Sequence, residues 1–198
     1  MPRFAQFVPE GVIPACLLPF HDDLSIDEKN FRRHLSDVAA VQGISAITIN
    51  AHATEVGSCT FDEQRRVLEI TQDEIGAKTP IVNGIYAEGS LEAAKLARMA
   101  QEGGASALLV FPPGPFALGQ RPEMALAHFQ RIADASDLPI IVFEYPLAGG
   151  QGYPLDTLVR LADEIPTIRA IKDWCNSVPL HETHIRTFQR RTRPVTIL

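Results

Sequence analysis

Apolar residues fall along this chain in short β-rich runs, separated by longer stretches in which apolar positions recur every three or four residues. The runs cover 12–18, 46–50, 80–84, 107–111, 139–143, 168–172 and 195–198. Their near-continuous hydrophobicity predicts strands buried on both faces, as in a parallel sheet. The intervening stretches carry helix signals. Ser25-Ile26-Asp27-Glu28 resembles a capping box ahead of the Phe31/Leu35/Val38 stripe, and Thr60-Phe61-Asp62-Glu63 repeats the pattern ahead of Val67 and Ile70. Ser90-Leu91-Glu92 and Arg121-Pro122-Glu123 open two more helices, closing near Gly103 and Ser136. This alternation is the signature of right-handed βαβ units.

Seven runs are one short of a closed (β/α)8 barrel, and 198 residues fall below the roughly 250 such barrels occupy. A doubly wound open sheet tolerates seven strands, but its glycine-rich turn after the first strand is replaced by Pro19-Phe20-His21-Asp22-Asp23. The expected architecture is therefore α/β, an incomplete TIM (β/α)8-type barrel of about seven strands. It forms one domain over 1–198, lacking the last βα unit and any C-terminal helices. A gap is expected between the first run and the last.

Lys172 ends the run Ile168-Arg169-Ala170-Ile171-Lys172, at the carboxyl end of a strand, where such barrels keep their active sites. An amine held at an apolar mouth loses solvation and becomes a nucleophile toward carbonyl carbon. The plainer reading is a strand-end lysine that snorkels to water.

Composition narrows the partners. With 45% hydrophobic and 21% charged residues the chain can bury a sizeable core, and a net charge of -6 with pI near 5.5 argues against nucleic acid. The basic stretch Arg190-Arg191-Thr192-Arg193 reads as a solvated loop. Cys16, Cys59 and Cys175 are odd in number, far apart and free of any CxxC, which argues for reduced cytoplasmic thiols and against structural zinc. Met1–Gln6 lacks a signal-peptide pattern, and no run approaches the roughly 20 apolar residues of a membrane span. A cytoplasmic protein without membrane partners is expected.

The order of motifs points to a family. Gly11-Val12-Ile13-Pro14-Ala15, then Pro19-Phe20 and Ser25-Ile26-Asp27, then Pro139-Ile140-Ile141-Val142-Phe143-Glu144-Tyr145-Pro146 and, at barrel spacing, Ile171-Lys172-Asp173 together resemble the dihydrodipicolinate synthase and N-acetylneuraminate lyase family. The resemblance implies a Schiff-base lyase or aldolase acting on pyruvate or another 2-oxo acid, without metal or cofactor, usually as a homo-oligomer, with Lys172 as the imine-forming residue. The alternative is a catalytically impaired barrel that retains 2-oxo acid binding at most.

Departures from the family pattern are as informative. Where the family carries a Gly-Thr-Thr-Gly-Glu loop, this chain has Ala51-His52-Ala53-Thr54-Glu55, so a substrate carboxylate would rest on backbone of Ala51, Ala53 and Thr54 while Glu55 orders the loop. Phe143 stands where the family's strand-five tyrosine is expected, lining the substrate site without a hydroxyl. Pro113-Gly114 replaces a tyrosine pair. Ala148 replaces the arginine of authentic dihydrodipicolinate synthases, which argues against that activity. Tyr145 and His52 are the candidates for proton transfer, each with a plainer reading: Tyr145 packs beside Pro146, and His52 bonds loop backbone. Glu144 has the opposite strand parity to Phe143 and is expected to face the helices or a subunit contact. Trp174 and Cys175 are placed at the mouth. His181 and His184, three apart on a helix, read as a solvated face because no third ligand converges in sequence.

Overall fold

The structure, a computed structural model, describes Phe4 and residues 6–198; the segment Met1–Gln6 considered for a leader lies mostly outside the described residues. Six strands, β1 (Ile47–Ile49), β2 (Ile81–Ile85), β3 (Ala107–Val110), β4 (Ile140–Glu144), β5 (Ile168–Asp173) and β6 (Thr196–Ile197), form one parallel sheet in sequence order. Helices α1 (Glu28–Ala39), α2 (Phe61–Glu74), α3 (Ser90–Glu102), α4 (Pro122–Ala133), α5 (Leu155–Glu164) and α6 (Val178–Gln189) fill the connections. The sheet is open, an incomplete barrel. Among the described residues no helix is long and apolar enough to cross a membrane.

The first apolar run departs from the expected strand. It touches the sheet only through isolated parallel bridges, Val12 to Ile44 and Ala15 to Thr48. Three residues on one side span four on the other, and Pro14 has no N–H to donate, so a continuous ladder cannot form. Six strands plus this bridged segment thus replace the seven expected.

Local signals fix most helix ends. Thr60 caps α2 and Glu63 reaches back to it in a reciprocal box. At α1 the cap is Asp27, whose carboxylate accepts the Asn30 N–H, while the Ser25 hydroxyl donates to Asp23 at 2.6 Å. The carboxylate outcompetes the hydroxyl two residues earlier because it faces the positive end of the helix. The basic stretch is also more ordered than expected. Arg191 pairs with Asp163, and Arg193 donates to the Ala162 and Ile168 carbonyls at the end of α5 and the start of β5.

Two apolar cores lie on opposite faces of the sheet. Ile47, Ile49, Ile81, Ile85, Leu108, Val110 and Val142 pack against the helices. Val82, Ala107, Leu109, Phe111, Ile141, Phe143 and Ala170 fill the barrel interior. That division is the period-two alternation of strand side chains, here apolar on both sides. At the open edge, Gly11, Ile13 and Ala15 face the same cleft as Leu198, across the expected gap.

His128 on α4 is buried, with Nδ1 3.0 Å from the Ser90 hydroxyl at the start of α3, and burial holds its pKa down to about 4. Between that value and the unfolded value near 6.5 the unfolded chain binds the extra proton, so stability falls as pH drops through this window. Buried Glu144, held up to about 8 chiefly by burial, acts with the opposite sign. The difference between wild type and His128→Gln isolates the histidine. In urea unfolding the wild type is expected to gain up to about 3 kcal/mol relative to the variant from pH 4 to pH 7, and a pH-independent difference would refute this.

Candidate active site

The register of β4 on β5 pairs Phe143 with Lys172 and Glu144 with Asp173. Alternation then sends the first pair into the barrel mouth and the second toward the helices. The Lys172 ammonium nitrogen sits 3.7 Å from the Phe143 ring centroid. No carboxylate pairs with it among the described residues, and burial lowers its pKa from the ordinary lysine value. The side chain remains water-accessible through the open mouth.

The loop after β1 supplies the opposite wall. Asn50 adopts the left-handed region at φ 50°, and its side-chain amide donates to the Gln64 carbonyl and the Asn83 side chain. This turn carries the chain across Gly84 of β2, where a Cβ would meet the Asn50 carbonyl oxygen at 1.9 Å. Only glycine leaves room for that crossing. Two 3-10 turns follow, His52–Thr54 and Val56–Ser58.

Ala51, His52 and Ala53 line the cleft with Lys172, as expected. Thr54 does not. Its hydroxyl is buried and donates to the Cys16 carbonyl, tying the loop to the bridged segment, so its role is structural. Glu55 is exposed at φ 55°, and its backbone N–H, bonded to the His52 carbonyl, does the ordering expected of its carboxylate.

Tyr145, one residue past β4, places its phenol oxygen 3.2 Å from His52 Nε2. Burial pushes the phenol up to about 12, and burial followed by the Lys172 charge pushes the imidazole down, so both are neutral near pH 7 and joined by one hydrogen bond. An aromatic rim surrounds the pair. Phe111 lies 4.5 Å and Tyr86 5.6 Å from the His52 ring, while Trp174 stacks 6.2 Å from Phe143. The cleft, lined by His52, Phe111, Phe143, Lys172 and Trp174 among others, measures about 530 Å³, and Tyr86 and Tyr145 stand behind its lining. Tyr86 and Phe111 escaped sequence reasoning, although Phe111, one residue past β3, shares the parity of Leu109 and so already points inward. Ala148 is exposed and lies outside the cleft lining, and Gly114 abuts the Glu88 carboxylate instead of supplying a mouth hydroxyl.

Behind the lysine strand the arrangement differs from expectation. Cys175 turns away from the mouth and is buried, its N–H donating to Asp173 Oδ1. His184 is fully buried instead of solvated, and a third group does converge: Asp173 Oδ2 lies 2.7 Å from His184 Nδ1 and 2.8 Å from His181 Nδ1. Burial alone would raise the Asp173 pKa, but the hydrogen bonds from His184, Cys175 and His181 hold it well below the usual carboxylate range. Glu144, as its parity predicts, faces away from the mouth and accepts the Tyr153 N–H.

Parallel strands in sequence order, with a lysine at the carboxyl end of one of them, define a TIM-barrel-type α/β protein. A family model described as the Dihydrodipicolinate synthetase family matches residues 8–195, and the chain belongs to that family. It is 35% identical over 170 residues to the 4-hydroxy-tetrahydrodipicolinate synthase of Methanothrix thermoacetophila, covering 85% of this chain and 55% of that one. The corresponding enzyme of Methanopyrus kandleri is 33% identical over 166 residues, 83% and 54% of the two chains. This chain thus spans about half the length of the curated relatives it matches. Among solved structures, YagE, an E. coli K12 prophage protein of the dihydrodipicolinic acid synthase family in complex with pyruvate, aligns with a TM-score of 0.87 at 23% identity, covering 98% of this chain and 63% of that one. CdNal from Clostridium difficile, in complex with mannosamine, aligns with a TM-score of 0.82 at 23% identity, covering 94% and 62%. Both likenesses concern the fold.

Because the Asn50 carbonyl rests on Gly84, the position of His52 depends on that glycine. Gly84→Ala is expected to lower stability by about 1–3 kcal/mol through overpacking, measured by urea unfolding. A variant as stable as wild type would show that the loop does not rest on β2.

Proposed function

We propose that this protein is a class I lyase or aldolase in which Lys172 forms an imine with pyruvate or a related 2-oxo acid. The observation that carries the reading is the placement of the Lys172 amine: in the barrel mouth, over an apolar ring, without a carboxylate partner, and beside the neutral Tyr145–His52 pair. The amine attacks the ketone carbon and water leaves, giving an iminium. That cation draws electrons from the adjacent carbon, so a bond there breaks, or a proton leaves and an enamine adds to an aldehyde. Tyr145 and His52 carry the proton in either direction. The backbone N–H groups of His52 and Ala53 support binding of the substrate carboxylate, the Ala51 N–H being bonded to the Thr54 hydroxyl.

Lys172 is the one cationic side chain lining the cleft among the described residues. A substrate with a second carboxylate therefore meets no second cation there, and we assign the activity away from dihydrodipicolinate synthesis, although the relatives at 33–35% identity carry that name. The competing reading, an impaired barrel that binds a 2-oxo acid at most, is motivated by Phe143, Ala53 and Gly114, none of which has a hydroxyl to relay a proton. We further propose a single barrel unit acting in the cytoplasm as a homo-oligomer; one solved structure of similar fold is described as a monomeric dihydrodipicolinate synthase variant, so the assembly is to be measured.

Borohydride reduction in the presence of pyruvate is expected to leave a mass adduct on Lys172 and none in Lys172→Arg, because a guanidinium cannot form the imine. No adduct on the wild type, or one that survives in the variant, would overturn the mechanism. Tyr145→Phe separates the two readings. It is expected to keep the adduct while slowing turnover by about 10²–10⁴-fold, the usual contribution of a positioned acid or base. Equal turnover would remove Tyr145 from the relay, and an adduct without turnover on any aldehyde in the wild type would favour the impaired barrel.

A further inference from the structure

We propose that Asp173, Cys175 and His184, joined by His181, form a binding site for a divalent metal ion of the zinc type on the helix side of β5, behind the lysine cleft that Asp173 borders but into which its buried side chain does not reach. One donor atom from each of Asp173, Cys175 and His184 lies within 4.8 Å of the others. His181 adds an imidazole nitrogen 2.8 Å from the shared Asp173 oxygen. Oxygen, sulfur and imidazole at this separation, with the His181 imidazole beside the shared oxygen, are a ligand set that tetrahedral zinc accepts once small side-chain shifts bring the donors around a shared ion.

Three further observations point to a cation. The Asp173 side chain is completely buried, and its register partner Glu144 is buried beside it. Asp173 has no lysine or arginine ion pair among the described residues, whereas a buried anion is ordinarily paired or bound to metal. His184 Nε2 has no hydrogen-bond partner, so it can take the ring proton when Nδ1 turns from Asp173 to an ion. An entry path exists as well, since the His181 side chain is 42% exposed. The backbone serves the cluster: Asn176 at φ 55° reverses the chain after Cys175, and α6 then presents His181 and His184 one turn apart toward the strand end.

Binding balances simply. The ion takes bonds to one carboxylate oxygen, two imidazole nitrogens and one thiolate, and the two imidazole hydrogen bonds to Asp173 and the Cys175 thiol bond to the Ser177 carbonyl are given up. The imidazole protons move to the free ring nitrogens and the Cys175 proton leaves to solvent, one per ion bound.

The test uses the full chain, stripped with chelator and titrated with cobalt(II). Expected are saturation at one equivalent, visible bands of a four-coordinate cobalt ion and a near-ultraviolet thiolate-to-cobalt charge-transfer band. Cys175→Ser should lose the charge-transfer band, and His181→Gln, altered at a partly exposed position that the core does not need, should bind about tenfold or more weakly. Zinc should raise the unfolding temperature of wild type and leave that of Cys175→Ser closer to the metal-free value. No saturable binding, the spectrum of a six-coordinate ion, or a charge-transfer band that survives Cys175→Ser would each overturn the site.

Discussion

The pairing of β4 with β5 is the constraint on which both chemical faces of this protein depend. Because side chains alternate across a strand, the register that opposes Phe143 to Lys172 also opposes Glu144 to Asp173. A slip of one residue would exchange the faces, burying an ammonium among the helices and exposing a carboxylate in the mouth. The register is set by an irregularity. Ile140 pairs with Ile168 but Ile141 with Ala170, so Arg169 is an extra residue on β5. Ile168 accordingly packs with the helices while Ala170, of the same sequence parity, lies inside the barrel. The bulge is what turns Lys172 inward.

The second wall of the cleft rests on a different economy of space. Gly84 lets the backbone at Asn50 lie directly on β2, and the Asn50 amide, bonded to Gln64 and Asn83, locks the left-handed turn. Thr54 then ties the loop to Cys16 and so to the bridged amino-terminal segment. His52 is thereby presented over Phe111 and against Tyr145 by three anchors, none of which touches the cleft itself. Holding a proton-transfer pair in place from behind leaves its own polar atoms free.

Much of this was legible in the sequence, and what was not has identifiable causes. Alternating periods of two and 3.6 announced the strands and helices, and Thr60 with Glu63 marked a helix start that the structure keeps. Lys172 stood out less by its position, which a snorkelling side chain explains equally well, than by the ordered motifs around it. Ser25 misled because a hydroxyl and a carboxylate two residues apart compete for one helix terminus, and charge decides. Thr54 misled because loop conformation, not residue type, determines where a hydroxyl points. His184 read as solvated because polar helix positions usually are. Its burial follows only once the turn at Asn176 folds α6 back onto Asp173, a contact of eleven residues' separation that periodicity does not encode.

The two faces of β5 follow opposite electrostatic logic within one dipeptide. On the mouth side a lysine has apolar and aromatic neighbours and no counter-anion, which favours its uncharged, nucleophilic form. On the helix side an aspartate is fully buried, hydrogen-bonded by two imidazoles and a backbone amide, which favours its charged form. Were the two side chains on one face they would pair, the amine would stay protonated and the carboxylate would be spent on it. The sheet between them prevents this. Strand alternation thus does more than sort polar from apolar: it keeps a potential nucleophile and a potential ligand adjacent in sequence yet chemically independent, each free to be tuned by its own surroundings.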